Sequence, residues 1–173
     1  PDPLDDVRAA GLPVSAVTAS QSLLLAGPLR QGQRVLVHGA AGGLGRFAVQ
    51  LAQQAGAHVV ATASGQDAEA VRSLGAHEVI DCRAERFEER TANIDLALDY
   101  VGGDVLDRTW QVLAPEGTVV STASPDIGAR TPADRRGLWC MMQPDGALLG
   151  RLAEDVAQGR LQFVPGQVVS FDD

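Results

Sequence analysis

The segment Gly39-Ala-Ala-Gly-Gly-Leu-Gly45 follows directly on the apolar run Arg34-Val-Leu-Val-His38. A glycine-rich turn between a buried strand and a helix can hold a pyrophosphate without using side chains. Glycine lets backbone N–H groups come close to the phosphates, and the helix N-terminus supplies partial positive charge. The spacing here is Ala40-x-Gly42-x-x-Gly45, a G-x-G-x-x-G pattern with alanine in the first glycine place. Gly42 is expected to admit the phosphate, and Gly45 to let the helix pack tightly on the strand. A tight turn without a ligand is the competing reading, and the further strand–helix units downstream weigh against it.

A dinucleotide site has a second determinant at the end of the second strand, where an acid grips the ribose 2′-hydroxyl of NAD. This chain has Ala61-Thr-Ala-Ser-Gly65 there, with no acid before Asp67. Nothing would then repel a 2′-phosphate, so NADPH is expected over NADH. Other chemistries fail for want of residues. All 14 basic residues are arginine. Without lysine there is no Schiff base, no P-loop lysine and no Tyr-x-x-x-Lys pair of a short-chain dehydrogenase. Cys82 and Cys140 are far apart, with no CxxC or Cys–His cluster, so a zinc site is not expected; both read as plain buried thiols of a reducing cytoplasm. His38 reads as a structural histidine more readily than as a proton donor, and His58 and His77 as isolated and exposed. Asp99 is either a ribose contact or a strand-end cap. No residue earns a catalytic assignment.

The elements that must position this loop are legible as alternating β-branched runs and helical stretches, the mark of βα units around a parallel sheet. A helix is expected over Ser15–Leu25. Strands follow at Arg34–His38, His58–Thr62, Glu78–Ile80, Ile94–Asp99 and Gly117–Ser121, with helices near Leu44–Gln54, Asp67–Leu74, Asp104–Val112 and Asp145–Gln158. Leu138–Met142 is a weaker strand, and Phe163 and Val168-Val169 suggest trailing extended pieces. The expected fold is one Rossmann-type, doubly wound α/β domain over residues 31–173, preceded by a helical lead-in at 1–30. In 173 residues, hydrophobic ones make up 45% and aromatic ones 4%, so the core is built from Ala, Val and Leu. The net charge of −8 argues against nucleic acid and anionic membrane as partners. The run Glu85–Arg90 and the pair Arg135-Arg136 read as solvated faces. No apolar stretch approaches the ~20 residues of a spanning helix, and the acidic start resembles no signal peptide.

The stretches VLVHGAAGGLGRFAVQLAQQAGAHVVATAS, VRSLGAHEVID, LDYVGG and LAPEGTVV together resemble the zinc-independent medium-chain dehydrogenases/reductases. The quinone oxidoreductase-like group is nearest, with polyketide synthase enoyl reductase domains and reticulon-interacting reductases beside it. The resemblance implies an NADPH-binding domain whose complete relatives carry a GroES-like domain in cis, absent from this chain. Hydride would pass to a quinone or enone, and the isolated chain would bind nucleotide without turnover. It also implies a cytoplasmic homodimer joined through the sheet edge near Leu138-Trp-Cys-Met-Met142. Ala41, Gly42, Gly43 and Leu44 match the pyrophosphate loop, and Ala63 and Ser64 the adenosine ribose. Tyr100, Val101, Ser121 and Thr122 match the floor under the cofactor, and Cys140 and Met141 the nicotinamide amide contact. Two departures stand out. The lysine common after the second strand is missing, and Cys82 replaces the tyrosine common after the third; Arg83 or Arg72 could take their place. A nucleotide-sensing Rossmann module that regulates a partner without chemistry is the alternative.

Overall fold

In a computed structural model describing residues 4–165 and 169, six parallel strands form one sheet in the order β3-β2-β1-β4-β5-β6. The strands are β1 (Arg34–His38), β2 (His58–Ala63), β3 (Glu78–Asp81), β4 (Ile94–Asp99), β5 (Leu113–Ser121) and β6 (Arg136–Trp139). The helices are α1 (Asp6–Leu25), α2 (Gly43–Gln54), α3 (Ala68–Ser73), α4 (Asp104–Thr109), α5 (Ile127–Arg130) and α6 (Gly146–Ala157). This is the doubly wound Rossmann order, in which β1 lies beside both β2 and β4 and the winding reverses between β1 and β4.

Alternation along each strand supplies both faces of the core. Val35 and Val37 face α1, α2 and α6, whose Leu12, Val17, Phe47, Val49 and Leu152 share their cluster. Leu36 faces the other way, onto Leu106, Trp110 and Ile127 around α4 and α5. A strand buried on both sides reads as a continuous apolar run, which is why β1 is evident in the sequence.

Several element boundaries differ from the sequence expectation. α1 begins at Asp6 rather than Ser15, because the Asp5 side chain caps it by accepting from Arg8 N at 2.8 Å, and the helix continues through Pro13. Pro13 lacks a donor, but one missing bond is outweighed by the buried Leu12, Ala16 and Val17 that hold the helix on the sheet. β5 begins at Leu113 rather than Gly117. Its pairing jumps from Ile94↔Leu113 to Leu96↔Thr118, so Ala114, Pro115, Glu116 and Gly117 bulge opposite Asp95. β6 is Arg136–Trp139, two residues earlier than expected, and ends one residue before Cys140. Phe163 lies in irregular chain rather than a strand, and Val168 falls outside the described residues.

Inside the bulge Glu116 sits at φ +64°, the left-handed region that disfavours side chains. It is exposed and forms no ion pair among the described residues. Glu116→Gly is expected to stabilise the fold by about 1 kcal/mol, the strain removed less the flexibility gained in the unfolded chain. An unchanged or lowered urea midpoint would show that Glu116 carries no such strain.

Candidate functional site

The carboxyl ends of the strands form the edge where open α/β sheets bind ligands. At its centre the chain leaves β1 through Gly39 at φ +71°, and Gly42 N donates to Gly39 O at 3.0 Å to close the turn. The conformational glycine is therefore Gly39, one place before the Ala40 at which the motif was aligned. Gly45 meets the packing expectation: a Cβ there would lie 2.5 Å from Ala40 Cα. Gly42 is different. It is exposed, has φ −74°, and a Cβ would approach only Gly39 O, at 3.3 Å. Space above Gly42 is open, as a phosphate requires.

The start of α2 is open as well. Asp5 and Asp145 cap α1 and α6 with their side chains, whereas the N-cap of α2 is Gly42, with no side chain to offer. The unpaired N–H groups of its first turn, at Gly43, Leu44 and Gly45, thus remain available to an anion.

Beside this helix end lies a cavity of about 520 Å³, walled by Ala41, Gly42, Ala63, Cys82, Arg83, Phe87, Val101 and Arg108 among others. It unites the ends of β1, β2 and β3 with the loop after β4. Five residues of the sequence-derived set, Ala41, Gly42, Ala63, Arg83 and Val101, share it. Ser64 stands beside it with its hydroxyl donating to Asp67 Oδ2 at 2.6 Å, so the first acid after β2 is engaged locally. The cavity has three arginines of different character. Arg86 and Arg108 both pair with Glu88, at 2.7 and 2.8 Å. Arg83 has no carboxylate partner among the described residues; only its backbone N–H is engaged, by Asp81 Oδ1 at 2.9 Å. Arg72 pairs with Glu69 at 3.7 Å on α3, away from the cavity wall, and Arg83 is the one left to meet an anion.

The remaining residues lie across the reversal point. Tyr100 turns its ring away from the cavity toward α1. Ser22 Oγ donates to Ala19 O, so Tyr100 OH is the donor in its 2.7 Å bond to Ser22, and burial pushes its phenol above the ordinary range. Only its Cβ and carbonyl oxygen border the site, against Gly39. Ser121 is buried at the end of β5, and Thr122 N continues the ladder to Asp99 O. Cys140 N bonds Ser121 O at 2.9 Å, which puts Cys140 and Met141 at the carboxyl end of a strand like the others. Met141 is 62% exposed, and Cys140 is buried.

Three expectations need correction. Cys82 is exposed on the cavity wall, not a buried thiol. The run Glu85–Arg90 is not merely a solvated face: the Glu88 side chain is 6% exposed and holds Arg86 and Arg108, while Arg108 lies 4.9 Å over the Phe87 ring. Burial raises the Glu88 carboxyl, but a hydrogen bond from its own backbone N–H and the two arginines together outweigh it and draw the group below its ordinary range. His58 and His77 are not isolated; their rings stack at 4.6 Å at the opposite end of the sheet, with His58 2.7 Å from Glu78.

His38 is fully buried and satisfied on both sides. Thr109 Oγ1 donates to Val105 O, so it accepts from His38 Nε2 at 3.0 Å, and Thr62 Oγ1 donates to Nδ1 at 3.1 Å. Burial assigns the neutral imidazole, and with Nε2–H donating to Thr109 its Nδ1 is then the acceptor from Thr62. Burial pushes its pKa from 6.5 down to about 4, partly opposed by Asp99.

Two outcomes are expected. Unfolded His38 takes up a proton below pH 6.5, whereas the folded one does so only near pH 4. Stability from this group is therefore full above 6.5 and falls as pH drops toward 4, by about 3 kcal/mol at ~1.4 kcal/mol per unit. Urea titrations from pH 7 to 4 should show a flatter dependence in His38→Gln; equal slopes would contradict the assignment. Gly42→Val should leave the melting temperature within a few degrees and weaken dinucleotide binding at least tenfold in calorimetry. Unchanged affinity would move the phosphate site elsewhere.

Comparison with known proteins agrees with this geometry. Residues 43–143 match the family described as zinc-binding dehydrogenase. The spectinabilin polyketide synthase system protein NorB of Streptomyces orinoci is 38% identical over 173 residues, covering 91% of this chain and 8% of its own. The NAD(P)H oxidoreductase RTN4IP1 of Danio rerio is 29% identical over 99% of this chain and 52% of its own. The quinone oxidoreductase structure from Coxiella burnetii superposes with a TM-score of 0.89 at 32% identity, over 94% of this chain and 52% of that one. The CurK enoyl reductase structure gives 0.81 at 29%, over 98% and 57%. The chain thus spans a small part of the synthase and about half of the reductases. Among the described residues no group of three or more His, Cys, Asp or Glu is placed to hold a metal, and no helix is long and apolar enough to cross a membrane. The chain belongs to the zinc-binding dehydrogenase family, as the nucleotide-binding part of a zinc-independent, quinone oxidoreductase-like medium-chain dehydrogenase/reductase.

Proposed function

We propose that this chain binds NADPH along the carboxyl edge of its sheet and forms the coenzyme half of a reductase for a quinone or an activated alkene. The observation that carries the coenzyme reading is the pairing of an uncapped α2 N-terminus with an adjoining cavity whose one cation without a carboxylate partner among the described residues is Arg83. Gly42 leaves room for the pyrophosphate, and the α2 amides face it. Ala63 ends β2 without a carboxylate, so a 2′-phosphate meets Arg83 instead of a like charge. The coenzyme, once bound, supplies hydride; the protein's part is to hold it in one orientation and exclude water. The polyketide synthase relatives favour an activated alkene as acceptor over a quinone. A GroES-like domain in cis would supply the facing wall of the acceptor site. β6, at the free edge of the sheet, carries half-buried Leu138 and Trp139, and pairing with the β6 of a second copy would cover that edge.

Calorimetry with NADPH and NADH tests the proposal on the chain itself. NADPH should bind at least tenfold more tightly. Arg83→Ala should remove about tenfold of that preference, about 1.4 kcal/mol. Ala63→Asp should reverse it by restoring a ribose acceptor and repelling the 2′-phosphate. A parent chain that prefers NADH, or binds neither, would overturn the assignment.

A further inference from the structure

Asp99 is completely buried and does not itself line the cavity described above, although Val101, which it holds, does. Its carboxylate is fully occupied by the protein. Oδ1 accepts from Val101 N at 3.1 Å and Gly102 N at 2.8 Å, which shapes the loop after β4. Oδ2 accepts from Ser121 Oγ at 2.7 Å, at the end of β5. That hydroxyl in turn accepts from Ala123 N at 3.1 Å and Ser124 N at 3.0 Å, which shapes the loop after β5. One carboxylate and one hydroxyl thus order four backbone amides in two loops.

The loops also fit together sterically. Gly102 stands at φ +76°, and a Cβ there would lie 3.0 Å from Ser124 Oγ and 3.1 Å from Ala123 Cβ. Arg130 joins from α5, donating to Gly103 O at 2.9 Å and pairing with Asp107 at 2.7 Å. No cation within ion-pair range takes the Asp99 charge among the described residues, so amides and a hydroxyl alone hold it. A charged acceptor makes each of these bonds stronger than a neutral one would.

We propose that Asp99 is a positioning residue that sets the shape of both loops beneath the nicotinamide half of the coenzyme. The inference rests on the dinucleotide reading given above. In that reading the adenosine half lies over β1, β2 and β3, and the remainder crosses the reversal point onto β4 and β5. Asp99 acts mainly on the second half, because every group it holds lies at or after the end of β4 or β5, and of these only Val101 also borders the cavity. The network also has a fixed polarity. Ser121 Oγ already accepts twice, so its hydrogen needs Asp99 as acceptor. An asparagine amide turned toward it would present a third donor and leave that hydrogen without a partner.

The test compares NADPH with adenosine 2′,5′-bisphosphate, which contains the adenosine half alone. Asp99→Asn should bind the bisphosphate within about twofold of the parent and NADPH at least tenfold more weakly. Hydrogen exchange in the nucleotide-free variant should speed at Val101, Gly102, Ala123 and Ser124 and stay unchanged at Ala63 and Cys82. Ser121→Ala breaks the same network without altering the carboxylate, so it should reproduce both effects and serves as the test should Asp99→Asn not fold. A folded variant that keeps its NADPH affinity, or loses both ligands equally, would overturn the proposal. Failure of the parent to bind either nucleotide would instead overturn the coenzyme reading, and this inference with it.

Discussion

The close approach of α2 to the end of β1 is the constraint on which the site depends. With Gly45 against the Ala40 backbone there is no room for even a methyl group, so the helix axis is drawn down onto the strand end. That approach aims the first-turn amides of α2 at the carboxyl edge of the sheet. It also brings Ala41 and Gly42 into one wall with Ala63, from β2. A larger residue at 45 would lift the helix and disperse these groups, although each would keep its own local conformation. The phosphate-binding potential belongs to the packing of helix on strand.

Buried polar groups stabilise the same edge from beneath. His38 is held neutral between Thr62 and Thr109, joining the ends of β1 and β2 to α4. Asp99 and Ser121 do the corresponding work for β4 and β5. Such groups are costly to bury unless every donor and acceptor is matched, and here each is matched by residues at the strand ends, in the loops after them or at the end of α4. The apolar core below is made of small and branched side chains that fix spacing. These polar residues fix the shapes of the loops above it.

Most of the sheet was legible from local pattern. β1, β2 and β4 are apolar runs bounded by turns, and both of their faces are buried, so the periodicity could not mislead. The glycine-rich loop was legible because glycine spacing after a strand has a direct steric meaning. Less visible were features in which a local rule was overruled at a distance. Pro13 looks like a helix boundary, and only the packing of its neighbours keeps α1 intact. Glu85 to Arg90 looks like a solvated run, and only the approach of Arg108 from α4 buries Glu88 within it. Asp99 is followed by Gly102-Gly103 at the spacing of a loop cap, a signal present in the sequence. Its tie to Ser121 joins residues 22 positions apart.

The sequence by itself determined the class of fold, the location of the glycine-rich loop, the lack of an acid after β2 and the absence of lysine. Those are properties of residue type and short spacing, and no tertiary contact can alter them. The tertiary structure decided which arginine is free to meet a ligand. Arg83, Arg86 and Arg108 are alike in the sequence, and two are paired because Glu88 lies folded between them, with Glu89 and Asp104 as their second partners. It also decided that Tyr100 faces α1 while Val101 faces the cavity, and that Cys82 is exposed. The physical reason is common to all three. A side chain's charge and reach are set by its covalent structure, but its partner is set by which elements the sheet order places beside it.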